Sequence, residues 1–324
     1  MTTKINKIKG LVYGGLIGDA MGVQFEFLPT EQVKIPSKLT YENSPFLNIE
    51  HGRWSDDGDN IILLLQTMTE CNNSKIKFHM LYAKKLKFWA NNGICELGDK
   101  TSIGCGNTVY TTVCDKIFEK DPHKAAFNTY QKRKSNSNGA IMKIAPLGML
   151  SDEQEIITNT INVSKVTHYS TLSQAACLSI TLLIHYIITE RFNPFDSNET
   201  LKIIDHIINK VFKNVESLTL YEKQEFVKYI RVKKLDDLDL NEEFNVTYCL
   251  KTLGTAFWAL CNIHKSYKYL MKNIYSKGGD TDTNGAVAGA IVGCCKGYTG
   301  LPENWLKNLK YKEYIEKQIK KFIY

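Results

Sequence analysis

GLVYGGLIGDAMG, residues 10–22, and GAVAGAIVGCCKG, residues 285–297, carry glycine at every fourth position. Gly10, Gly14, Gly18 and Gly22 fall on one ridge of a helix, and so do Gly285, Gly289, Gly293 and Gly297. Glycine inside a helix costs about 1 kcal/mol against alanine, so these positions need a compensating gain. A bare strip of backbone supplies one by letting a neighbouring helix come close, as it does in membranes. Lys9, Asp19 and Lys296 argue against a bilayer here. The expectation is two central helices, at least one of them nearer to a neighbour than the ordinary spacing of roughly 10 Å.

Outward from these helices, apolar residues keep recurring with a period of 3.6. Ile5, Ile8, Leu11, Val12 and Leu16 form one stripe, and Ile61, Leu64, Leu65 and Met68 another. Residues 173–188 read as a helix after a Thr-Leu-Ser cap. Ile203, Ile204, Ile207, Ile208, Val211 and Phe212 predict a further helix, as do Leu250, Leu253, Phe257 and Leu260. Alternating strand patterns are scarce, and no series of βαβ units occurs. The chain therefore reads as all-α: one domain over 1–324, with a charged, less periodic excursion at about 191–246.

Hydrophobic residues at 43% and charged residues at 23% match a soluble globular chain. The net charge of +7 comes largely from dispersed lysines and a lysine-rich stretch at 307–321. Without a base-reading motif this is a solvated basic surface rather than a nucleic-acid face. The nine cysteines lack metal-ligand spacing. Cys177, Cys249 and Cys261 lie in apolar helical runs and are expected to be buried, reduced thiols. The start of the sequence has no signal-peptide pattern. The apolar run at 178–188 is broken by Ser, Thr and His and looks too short for a bilayer. Cytoplasm, or the nucleus, is the expected compartment, with no secretion and no membrane partner.

Three acidic clusters interrupt this pattern. The first is GDAMGVQFEF at 18–27, with Asp19 and Glu26; the second is WSDDGD at 54–59; the third is DTDT at 280–283. The last two precede apolar helices, the former predicted to start near Asn60. Ser, Thr and Asp at such points cap free backbone N–H groups. Capping needs one residue, however, and adjacent carboxylates repel one another unless protonated or neutralised by a cation. Oxygen ligands without His or Cys suit Mg²⁺, Mn²⁺ or Ca²⁺. Together the clusters point to a divalent metal site. Trp54 and Trp305 are expected in the core.

GDAMG at 18–22 with Glu26, SDD at 55–57, SNGAIMKIAPLG at 137–148, Thr167-His168 and GGDTDT at 278–283 together resemble the ordered motifs of the ADP-ribosylglycohydrolases. The resemblance implies an orthogonal bundle of many helices around a central cleft with two Mg²⁺ (or Mn²⁺) ions. By position, the metal ligands would be Ser55, Asp56, Asp57, Asp280, Asp282 and Thr283. The implied reaction is hydrolysis at the distal ribose C1″ of ADP-ribose, through an oxocarbenium-like transition state. The metals would hold the ribose 2″- and 3″-hydroxyls and position or acidify a water. Glu26, Asp56 and Asp57 are the candidates for the catalytic proton transfer.

The same resemblance raises two loops to substrate-binding candidates. Gly104, Gly106 and Asn107 lie in a glycine-rich stretch whose backbone could approach a diphosphate; Ser135, Asn138 and Gly139 lie in the second. His168 is a candidate hydrogen-bond partner of the ligand. The expected partner is an ADP-ribosylated protein or a small molecule containing ADP-ribose, bound by a monomer. Rival readings are a binder of ADP-ribose or a related nucleotide that has lost turnover, and a hydrolase of another N-glycoside or phospho-sugar. Departures from the family pattern are Gly58 where Thr is common, the added acid Asp59, Ser102 where some bacterial members have Asp, Lys143 for a frequent Arg, and Asn284 where a small or apolar residue is usual. They bear on substrate choice more than on metal binding.

Overall fold

Helices account for all the regular structure of residues 2–71 and 75–323, which this computed structural model describes; no strand occurs among them, only a bridge between Ser137 and Tyr248. In chain order they are α1 (Thr3–Gly22), α2 (Asp56–Cys71), α3 (Phe78–Asn92), α4 (Asn107–Val113), α5 (Pro122–Arg133), α6 (Glu153–Ser164) and α7 (Thr171–Ile188). Then follow α8 (Ser197–Asn214), α9 (Leu220–Ile230), α10 (Cys249–Cys261), α11 (Tyr267–Tyr275), α12 (Thr281–Lys296), α13 (Glu303–Asn308) and α14 (Lys312–Ile323). The chain is all-α, as the periodicity predicts.

The two glycine-ridged helices are each other's neighbour. α1 and α12 run antiparallel, with Gly10 against Gly293, Gly14 against Gly289, Gly18 against Gly285, and Gly22 against Asp282. A methyl group on Gly10, Gly14 or Gly18 would strike the carbonyl oxygens of Gly293, Gly289 and Gly285; on Gly22 it would lie 2.5 Å from the Cα of Asp282. The relation is reciprocal, because methyls on Gly285, Gly289 and Gly293 would strike the carbonyls of Gly18, Gly14 and Gly10. Each glycine of these three pairs thus turns a Cα hydrogen toward a carbonyl oxygen across the interface, a contact worth about 0.5–1 kcal/mol. Hydroxyls reinforce the seam: Tyr267 donates to the Gly14 carbonyl at 2.6 Å, Tyr275 to Gly18 at 2.8 Å and Thr281 to Gly22 at 2.8 Å. Gly297 stands apart from its ridge. It ends α12 with φ +72° and abuts the Asn6 side chain.

α2 begins at Asp56, earlier than the apolar stripe alone places it, so its acids lie within the first turn. Asp59 turns to the opposite side from its neighbours and is fully buried. It accepts from Arg53 at 2.7 Å and from the indoles of Trp54 and Trp89, each at 2.9 Å. Arg53 also reaches Asp99 at 3.2 Å. Gly58 makes room for the same cluster: a Cβ there would lie 2.6 Å from Cγ of Trp54 and 2.8 Å from Cδ2 of Leu16. Two departures from the family pattern, Gly58 and Asp59, therefore belong to one packing solution around Trp54. Trp54 and Trp305 are both core residues.

Other expectations change in detail. α7 starts at Thr171 and is capped by Ser170, whose hydroxyl accepts from the Ser173 amide. This 18-residue helix is long and apolar enough to cross a membrane by length and composition, contrary to the reading of 178–188 as too short, but it is 94% buried inside the fold. Its polar residues do not interrupt it, because Ser179 and Thr181 bond back to the carbonyls of Ala175 and Cys177. Cys177 and Cys249 are buried; Cys261, the last residue of α10, is exposed instead, and all nine thiols are free. The 191–246 excursion holds α8 and α9, which pack on α7 and α10.

Gly14→Ala should destabilise the chain by roughly 1–3 kcal/mol through overpacking, where an exposed helical glycine would gain about 1 kcal/mol; a urea titration reads the sign. Asp59→Asn should cost roughly 3 kcal/mol in the same assay, because it removes the nearer and fully buried of the two carboxylates that pair with a buried guanidinium.

Candidate active site

The seam fixes where the acids meet. At its open end the chain reverses through Gly278 and Gly279, with φ of +65° and +71°, and enters α12. The Gly279 carbonyl accepts from the Phe27 amide at 2.8 Å, tying the segment after α1 to the start of α12. Glu26 is thereby placed beside Asp280 and Asp282. α2 docks on the same end through Asp19, whose carboxylate accepts from the Ser55 amide at 3.0 and 3.1 Å and from the Gly58 amide at 2.7 Å. Asp19, part of the first acidic cluster, acts as a cap supplied from another helix.

This division of labour leaves spare carboxylates. At α2, Ser55 Oγ accepts from the Asp57 amide at 3.2 Å, so Ser55 and Asp19 supply the caps. At α12, Asp280 occupies the N-cap position, yet its side chain caps nothing. Its Oδ2 instead accepts from Asn138 Nδ2 at 2.9 Å. Glu26 Oε2, Asp57 Oδ1 and Asp282 Oδ1 are buried without a hydrogen-bond partner. Among the described residues no ion pair reaches Glu26, Asp56, Asp57, Asp280 or Asp282.

The electrostatic cost is large. Burial, with Asp280, Asp56 and Asp19 adding their charge, pushes the Glu26 carboxyl up to about 8. Burial, then Asp19 and Asp59, raises Asp56 to about 7. Burial also holds Asp57 well above the carboxylate range, helped by Asp19 and Asp56. Asp282 is likewise raised by burial, then by Glu26 and Asp280. Asp19 reaches about 7, burial outweighing its amide partners.

These side chains open into a cleft of about 710 Å³. Of the residues singled out from sequence, Glu26, Asp56, Asp57, Asp280, Asp282 and Thr283 line it, together with Gly104, Gly106, Asn107, Ser135, Asn138, Gly139 and His168. Ser55 lies behind them, fully buried, with Oγ 3.4 Å from Asp57 Oδ2. The Gly104 loop crosses the start of α2: with φ +77°, a Cβ there would sit 2.9 Å from Asp56 Oδ1. Ser102 is turned away and donates to the Ala90 carbonyl of α3. In the second loop Asn138 bridges Asp280 and Thr252. Gly139 leaves space for the imidazole of His168, whose Cε1 would lie 2.8 Å from an added Cβ.

Lining residues that escaped the sequence reading include Phe27, Arg133, Lys134, Phe244 and Tyr248. The adjacency of Arg133 and Lys134 to the Ser135 loop was a usable signal. Phe27 and Phe244, at φ +54° and +65°, carry no sequence mark of their backbone conformation.

No group of three or more His, Cys, Asp or Glu side chains among the described residues converges as a ready-made metal site. The donor chemistry still fits a hard cation, because the orphaned buried oxygens and the unneutralised crowding are what a divalent ion relieves.

A sequence profile described as ADP-ribosylglycohydrolase matches residues 1–323. The chain is similar to an ADP-ribosylarginine hydrolase, Tri1, of Serratia proteamaculans, at 23% identity over 99% of this chain and 80% of that one. It is similar to the ADP-ribosyl-[dinitrogen reductase] glycohydrolase of Rhodospirillum rubrum, at 21% over 96% and 92% of the two chains. It is also similar to the ADP-ribosylhydrolase ARH3 of Gallus gallus, at 23% over 92% and 88%. A solved ADP-ribosylglycohydrolase-related protein has the same fold, with TM-score 0.72 at 19% identity, covering 99% of this chain and 98% of that one. With its whole described length matched and its acids gathered in one cleft, the chain belongs to the ADP-ribosylglycohydrolase family.

Proposed function

We propose that this chain removes ADP-ribose from modified protein side chains by metal-dependent hydrolysis at the distal ribose C1″. The observation that carries the reading is the convergence of Glu26, Asp56, Asp57, Asp280 and Asp282, from three distant stretches of chain, in one cleft with no ion pair to any of them among the described residues. Ser55, Asp56, Asp57, Asp280, Asp282 and Thr283 would hold two Mg²⁺ or Mn²⁺ ions. Those ions, when bound, would supply the positive charge that orients ribose hydroxyls and makes water a better nucleophile.

The chain's own groups account for the rest. Carboxylates around the distal ribose favour the positive charge that develops on its ring in the transition state. Of Glu26, Asp56 and Asp57, Glu26 fits proton transfer best: it lies on the loop after α1, half-buried, with one oxygen uncommitted. The glycine loop at 104–107 and the polar loop at 135–139 adjoin in the cleft lining, with Thr108 3.0 Å from Ser135, and would take the diphosphate and proximal ribose. Arg133 and Lys134, on the same cleft, add positive charge for an anionic ligand.

Arginine-linked and serine-linked ADP-ribosyl peptides, each with Mg²⁺ and with EDTA, test the reading. Release of free ADP-ribose from at least one linkage, lost in EDTA, is expected. Asp280→Asn and Asp282→Asn should each lower the rate at least ~100-fold; full activity in either would sink the site assignment. Binding of ADP-ribose without release from any linkage would make the chain a binding protein.

The raised carboxyls also set a pH dependence. They are protonated more readily in the folded than in the unfolded chain, so their ionisation opposes folding. The metal-stripped chain should lose stability as pH rises from about 4, through about 7 for Asp56 and about 8 for Glu26. Mg²⁺ should therefore raise the melting temperature more at pH 8 than at pH 5.5, and an equal shift at both would count against a carboxylate site.

A further inference from the structure

A chain of polar contacts runs from the buried interior to the cleft wall and uses no acid of the metal site. It begins at Lys143, which is fully buried and makes no ion pair among the described residues, although the charges of Asp56 and Asp57 reach it. Its Nζ donates to Thr167 Oγ1 at 3.1 Å and lies 5.7 Å from the centre of the Tyr82 ring. Thr167 Oγ1 is 3.0 Å from His168 Nδ1, and His168 Nε2 is 2.9 Å from Ser137 Oγ. Ser137 closes a ring of hydroxyls: Thr108 is 3.0 Å from Ser135, Ser135 donates to Ser137 at 3.1 Å, and Ser137 donates to Thr108 at 3.3 Å.

The direction of these bonds follows from the inventory of donors. An ammonium group only donates, so Thr167 must accept from Lys143. The hydroxyl proton of Thr167 has no acceptor among the described residues other than His168 Nδ1, so it goes there. That makes Nδ1 the acceptor and places the imidazole proton on Nε2, aimed at Ser137. Burial pushes the imidazole down to about 3, and the Lys143 charge adds to the effect, so the ring is neutral. A hydroxyl oxygen has two lone pairs. Those of Ser137 are filled by His168 Nε2–H and the Ser135 hydroxyl. Only its own proton remains free to turn, and its present bond to Thr108 is the longest of the ring.

We propose that Lys143 is a positioning residue which, through Thr167 and His168, wires Ser137 as a hydrogen-bond donor to an acceptor-only oxygen of the ligand, of the phosphate class. His168 is 1% exposed with both nitrogens engaged inside the protein, so the group it presents to the cleft is the Ser137 hydroxyl. A ribose hydroxyl can donate or accept, whereas a phosphate oxygen only accepts, and Arg133 and Lys134 line the same cleft. The ligand half of this inference rests on the functional reading above; the tautomer half does not.

Nitrogen-15 NMR of the full chain labelled at histidine, with the His168 signals assigned by their loss in His168→Gln, tests it directly. A neutral ring with the proton on Nε2 is expected; a proton on Nδ1, or an imidazolium at pH 7, overturns the proposal. Thr167→Val, which removes the bridging hydroxyl at nearly constant shape, should release the tautomer preference. It should also weaken ADP-ribose binding about tenfold, the loss of one charge-supported hydrogen bond. Lys143→Arg should keep both properties, and Lys143→Met should lose both. Unchanged tautomer and affinity in Thr167→Val, at a temperature where the variant is folded, would reduce the chain to a structural contact and overturn the proposal. Failure of the wild-type chain to bind ADP-ribose would remove the functional reading, and the tautomer would then decide the relay alone.

Discussion

The contact between the backbones of α1 and α12 governs the rest of the molecule. Two helices normally keep their axes 8–10 Å apart because side chains stand between them. Here glycine faces glycine at Gly10–Gly293, Gly14–Gly289 and Gly18–Gly285, and carbonyl oxygens take the place of side chains as the contact surface. Such a fit has one register. A shift of a single residue would drive Leu11 or Ala286 into backbone, so the seam also sets the start of α12 level with the end of α1. That alignment places Asp280 and Asp282 next to Glu26, and Asp19 under the first turn of α2.

A second consequence concerns electrostatics. Gathering carboxylates at the ends of helices is usually explained by capping, and part of the acidity here has that role. Asp19 and Ser55 cap α2, and Asp59 is matched to Arg53 and two indoles. Because those duties are taken, Asp56, Asp57, Asp280 and Asp282 are free to face one cleft. The fold separates neighbours along the chain by function: Asp56 and Asp57 look into the cleft, while Asp59 looks into the core. The core-facing set holds the helix ends together against the repulsion of the cleft-facing set.

Much of this was legible before any coordinates. The four-residue glycine period marks a ridge for close approach, and the acid clusters mark a need for neutralisation. A period tells which face of a helix is special but not which neighbour meets it, so the pairing of the two ridges needed the structure. Residue type also cannot distinguish Asp19, spent on amides, from Asp56, which is not, because the difference lies in contacts across many residues. His168 shows the same limit: its place beside Thr167 marks it for a polar role, but the engagement of both nitrogens depends on Ser137, which arrives from another loop. Phe244, at the end of a charged excursion, reaches the cleft only through the path of α8 and α9.

The seam joins the beginning of the fold to its end, and this orders events during synthesis. Tyr275 bonds to Gly18 across 257 residues. The entropy of closing so long a loop grows only logarithmically with length, so the finished pairing is not weakened much by the distance. Its kinetics are another matter, because long-range pairings form late. A nascent chain carries α1 with its glycine strip uncovered until nearly everything else has been made. A product that stops short of α12 cannot join Asp56 to Asp282, so it lacks the full convergent acidity of the finished fold.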